Sequence, residues 1–219
     1  MEERIQVDVS QYSFDEFISF LFARGVPGKT EEYDPWYFHV EVTFAPRRVC
    51  DYYLQLFRQP EFLLKRFSKD QIEEGFWVIQ GPNLDCSVSR LIWNADVEFP
   101  VREECVRTMF DLYKRLFAVE HLDSSAQMWW DSICYDWHCG NRNRDRGGED
   151  LEMQDVIFET LSRILSLGSE FCQRAALHGL GHLHHPETQE LVDLYLKSHL
   201  SLSEESRAYA LAAAKFEVL

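Results

Sequence analysis

The stretch that decides the fold is Arg174-Ala-Ala-Leu-His-Gly-Leu-Gly-His-Leu-His-His-Pro-Glu-Thr-Gln-Glu-Leu-Val192. Cys172, Ala176, Leu180 and Leu183 recur three and four residues apart, which places them on one buried stripe of a helix. Small residues along that stripe let a neighbouring helix approach closely. Pro186 stands in the turn that follows. Working outward, the helical rhythm continues over about 150–167, 169–184, 187–199 and 203–216, and Ser203-Glu-Glu supplies an N-cap and early acidic charge to the last of these. Upstream, Cys105, Met109, Leu112 and Leu116, with Val106, Tyr113 and Phe117, form a wide apolar stripe after Pro100. His121 to Ser124 turns the chain into a tryptophan-rich helix from Ser125 to His138, and Gly140 to Gly148 reads as a flexible loop. Short helices joined by short turns lie antiparallel and stack into an array.

Ala176, Leu180, Gly181, Leu183 and Pro186 stand where the second helix and following turn of a HEAT repeat want them, so this segment resembles the HEAT-repeat (armadillo-like α-solenoid) family, mainly over residues 150–219. It departs from that pattern where His184-His185 replaces the usual Gly-Asp and Gln189-Glu190 replaces the Val-Pro of the next turn. The resemblance implies an all-α fold, a right-handed α-α superhelix of helical hairpins. It also implies a concave binding face lined by second helices, and no chemistry of its own.

The N-terminal half is less regular. Ser13-Phe-Asp-Glu16 fits a capping box, with a helix running to near Gly25 and a loop at Val26 to Thr30. Residues 36–44 alternate apolar and polar and read as a short strand. Pro46 opens a helix carrying Val49, Cys50, Tyr53, Leu54 and Phe57, and Pro60 ends it or starts the next, from Glu61 to Phe67. Ser68-Lys-Asp-Gln71 is a second capping box, ahead of a helix that breaks at Gly81-Pro82. Cys86 to Trp93 suits either a short helix or a strand paired with Phe76–Gln80. One helical domain over 1–219 is expected, irregular over 1–99 and built of hairpins over 100–219.

Hydrophobic residues make up 46% of the 219-residue chain and charged residues 27%, the proportions of a folded globular protein. The acidic start lacks the character of a signal peptide, no apolar run is long enough to span a bilayer, and six dispersed cysteines form no C-x-x-C pair. These features point to a cytoplasmic protein with free thiols. A net charge of -15, spread along the chain, disfavours nucleic acid and favours a basic protein partner.

His178 and His182 lie four apart on one helix, with Arg174 a turn earlier and His185 beyond the end. Two imidazoles at this spacing can grip one metal ion, giving His178, His182 and His185 as candidate ligands. The same face, with Arg174, is a candidate partner-binding surface, joined by Trp130 and Trp137: Trp129 and Trp130 are adjacent, point about 100° apart on a helix and cannot both face one core, so one of them can reach a groove as an anchor. Cys134 and His138 share a helix face, with Cys139 next in the chain, and could form a thiolate-imidazole pair or part of a zinc site; Arg142, Arg144 and Arg146 could clamp an anion or form a solvated tip. No phosphate-cradling loop or nucleophile elbow is present.

The reading is therefore a non-enzymatic scaffold, monomeric or weakly oligomeric, that binds a basic protein. A small acidic inhibitor of immunity or antitoxin type fits that outline, and no cofactor is called for. A metal-dependent enzyme built on the histidine cluster is the alternative.

Overall fold

In a computed structural model, which describes residues 4–24, 35–122 and 124–218, the chain is mostly helical, with eleven α-helices and one two-stranded sheet among those residues. It divides into two compact units, Met1–Thr108 and Met109–Leu219. No helix among the described residues is long and apolar enough to cross a membrane.

In the first unit, strand β1 (Ile5–Asp8) pairs in parallel with β2 (Val40–Thr43), in register Ile5 to Val40 and Val7 to Val42. The expected strand at 36–44 is thus shorter, since Trp36–Phe38 forms a 3-10 turn, and its partner is the N-terminal segment. Helix α1 (Phe14–Phe22) opens on the Ser13/Glu16 capping box and stops at Ala23; Gly25 and the loop 26–30 lie outside the described residues. Helix α2 (Pro46–Arg58) starts at its proline, a 3-10 turn at Pro60–Phe62 leads to α3 (Leu63–Arg66), and α4 (Lys69–Gln80) opens on the Ser68/Gln71 box. The ambiguous segment holds a short helix, α5 (Val88–Leu91). Helix α6 (Phe99–Leu112) contains the boundary between the units.

The second unit takes in the end of α6 and continues into a π-helical turn, Tyr113–Phe117, in which Tyr113, Leu116 and Phe117 are buried. Helix α7 spans Asp131–His138, so the expected helix over 125–138 is six residues shorter at its start. The reason is steric. A helix would separate the faces of Trp129 and Trp130, whereas the turn that precedes α7 buries both completely, Trp129 donating to Met109 Sδ and Trp130 stacking on Tyr113. The 3-10 turn Arg144–Arg146 leads to α8 (Gly148–Leu165), α9 (Glu170–Leu183), α10 (Thr188–Ser198) and α11 (Glu204–Ala214).

Helix α9 is the centre of this unit, packed against α7, α8 and α11. Every residue from Ala175 to Leu183 is buried, including the face expected to stay open to partners. Two glycines make that possible. A Cβ on Gly179 would stand 2.7 Å from Trp130 Cβ and 2.9 Å from Leu161 Cδ2, and one on Gly181 would stand 2.3 Å from Val218 Cγ2.

Candidate metal centre

Because Gly179 lets α9 press against Trp130, the first residue of α7, Asp131, is carried onto the face that bears His178 and His182. His182 Nε2 lies 3.3 Å from Asp131 Oδ1, and His178 Nε2 lies 3.7 Å from the same oxygen. One donor atom from each of the three residues falls within 4.8 Å of the others. Ligands held at about 2.0–2.2 Å from a zinc-class ion stand roughly 3.0–3.5 Å apart, so these three need only small adjustments to share one.

Three of the four ring nitrogens in this group lack a hydrogen-bond partner. Neither ring nitrogen of His182 has a hydrogen-bond partner, nor does His178 Nε2, although the two residues are 3% and 5% exposed. Buried polar atoms without partners are costly and rare. The other nitrogen of His178 is held: Nδ1 lies 2.9 Å from the Tyr209 hydroxyl of α11. With the proton on Nδ1, Nε2 would present its lone pair to an ion, the arrangement that orients a metal-binding imidazole; with the proton on Nε2 the ring donates to Asp131 instead.

The surroundings shift the protonation of two of these groups. Burial first, then neighbouring His178, pushes His182 down from 6.5 to about 4, so the ring is neutral at pH 7. Interaction with His178 holds the Asp131 carboxyl below its ordinary value despite partial burial. The group is closed on the α9 side and reaches solvent along α7, where Asp131 is partly exposed and Tyr135 and His138 are exposed. Two nitrogens and one carboxylate with a side left open form a donor set that zinc and non-haem iron centres use.

The third expected ligand, His185, is elsewhere. His184 ends α9 in the left-handed conformation (φ 54°, ψ 34°), which turns the chain and sends His185 toward α8. There its Nε2 lies 3.0 Å from Asp155 Oδ1, its Nδ1 accepts from the Glu187 N–H, and its ring stacks on Phe158 at 3.9 Å. Asp131 takes its place in the group. The only local hints of that role were an acidic residue opening a helix and a glycine beside His178.

The partner-binding candidates separate in the same way. Trp130 is fully buried and Trp137 is 5% exposed, so neither is an exposed anchor, and His178 and His182 lie inside the unit. Arg174 alone stays half exposed, over the Tyr209 ring at 4.4 Å and 3.5 Å from Glu205, where it lines a 270 Å³ pocket with Glu170, Phe171, Tyr195 and Tyr209.

Cys134 is buried, which pushes its thiol up, and His138 pairs with His184 rather than with Cys134. Of the six free cysteines only Cys139 is exposed. The loop arginines are not a bare solvated tip: Arg142 donates to Asp150 at 2.9 Å, Arg144 bonds Gln154 and Asp155, and Arg146 donates to the Asn141 carbonyl.

No protein-family model, no curated protein and no solved structure matches this chain.

Proposed function

We propose that this protein binds a divalent ion of the zinc class through Asp131, His178 and His182 and uses it as an open, Lewis-acidic centre. The observation that carries the reading is His182, buried with both nitrogens unpartnered and 3.3 Å from the Asp131 carboxylate. An ion would bond one nitrogen of His182 and His178 Nε2, and offset part of the cost of burying them. Three protein ligands leave room for water, whose pKa such an ion lowers to about 7, or for a carbonyl or phosphoryl oxygen to be polarised. Equilibrium dialysis of the purified chain against zinc, followed by elemental analysis, tests this. Tight binding is expected, weakened at least ~100-fold at Asp131, His178 and His182 by His182→Gln or Asp131→Asn. A wild-type chain that takes up no zinc, cobalt, iron or manganese contradicts it.

A second role rests on the pocket beside Arg174. The hairpins α8–α9 and α10–α11 suit the HEAT-like superhelix that the sequence resembles, and Glu170 and Glu205 at the pocket, in a chain of net charge -15, suit a basic protein partner. Affinity purification at low and high salt tests it. A stoichiometric basic partner released by salt is expected, and none at either ionic strength contradicts it.

A further inference from the structure

Two more histidines stand beside the centre without belonging to it. His138 closes α7 on the exposed side, and His184 caps α9. Ring centroids run 4.6 Å from His178 to His182, 5.1 Å from His182 to His138, and 5.1 Å from His138 to His184. Four imidazoles therefore follow one another from the interior to the surface.

The outer two face each other nitrogen to nitrogen, His138 Nδ1 lying 3.1 Å from His184 Nε2. Two nitrogens bound to one ion at about 2.0–2.1 Å stand roughly 3.0 Å apart at a right angle and 3.4 Å apart at the tetrahedral angle. The observed spacing falls between these. His184 also occupies the helix-ending left-handed position that glycine usually fills. Its ring is clamped there by stacking on Phe216, with centroids 4.4 Å apart and planes 16° from parallel, so the sequence keeps a metal-binding side chain where backbone strain favours another residue.

We propose that His138 and His184 form a second, solvent-facing site for a borderline-soft divalent ion such as zinc, nickel or copper, with water in the remaining positions. This ion is distinct from the one at Asp131, His178 and His182 and needs none of those ligands. The alternative explanation of the 3.1 Å spacing is an N–H···N hydrogen bond between two neutral rings, and stoichiometry separates the two.

The metal-free full-length chain is titrated with zinc at neutral pH, and bound zinc per chain is measured by dialysis and elemental analysis. About two ions per wild-type chain are expected, falling to about one in His138→Gln and in His138→Gln/His184→Asn. His138 is exposed, so its substitution leaves the core intact, and asparagine tolerates the left-handed backbone at 184. In Asp131→Asn/His182→Gln one ion should remain, and with copper in place of zinc its electron paramagnetic resonance should show coupling to two nitrogens. Two ions still bound by His138→Gln would overturn the outer site. One ion in the wild type, lost with His182→Gln and kept with His138→Gln, would overturn it and leave the inner centre standing. No ion in the wild type would overturn both.

Discussion

His182 and His185 lie three residues apart, are both buried, and are in opposite chemical condition. His185 has Asp155 on one nitrogen, the Glu187 amide on the other and Phe158 against its face. Every need of the ring is met by the protein. His182 has rings around it, His178, Tyr135 and His138 each set steeply to its plane, and no hydrogen bond to either nitrogen, its Nε2 standing 3.3 Å from Asp131 Oδ1. Burial of polar atoms is tolerated when they are paired and penalised when they are not. The two differ in whether the protein itself satisfies the buried ring, although both belong to the same His-rich run.

The largest way to break this comparison is pH. In the metal-free protein the His182 pKa is lowered to about 4, against 6.5 for the ordinary ring, by burial and by His178, with Asp131, His138 and His184 also facing it. Between these values the unfolded chain binds a proton that the folded chain refuses. His182 therefore destabilises the fold progressively as pH falls from about 6.5 to about 4, by up to roughly 3 kcal/mol, and adds no further loss below that. Urea denaturation across pH should show this slope, and His182→Leu should flatten it. An unchanged slope in that variant would place the titration elsewhere.

The next effect is a contrast between two substitutions. His185→Leu strands the Asp155 contact and the Glu187 amide and should cost about 1–3 kcal/mol. His182→Leu removes atoms that have no partners and should be neutral or stabilising without metal, while losing the inner ion. Equal losses from both, measured at neutral pH without metal, would remove the distinction. The smallest effect expected is at Tyr209: replacement by Phe leaves the buried His178 Nδ1 without a partner and should weaken inner-site zinc binding about 10-fold, at a cost of about 1 kcal/mol in stability.

The sequence made the helical rhythm of α8 to α11 legible because a 3.6-residue period runs through each of them, and it made the capping boxes at Ser13/Glu16 and Ser68/Gln71 legible because three-residue spacing is local. What depends on distant contacts was not legible. Strand β1 is four residues long, and its partner lies 35 residues away in register, too short a signal to mark it in advance. Trp129 and Trp130 defeated helical reasoning because a turn buries both. At the site, the pair His178/His182 could be read from its four-residue spacing. Asp131 could not, since it joins them only through the close approach that Gly179 allows, and His185 was misplaced because the backbone reverses at His184.

The most direct test of the central claim is anomalous diffraction at the zinc edge from crystals of the zinc-loaded protein. The account predicts an anomalous peak about 2.0–2.2 Å from Asp131 Oδ1, His178 Nε2 and a ring nitrogen of His182. Zinc-saturated crystals with no peak among these three residues, and with His182 still unpartnered, would contradict it.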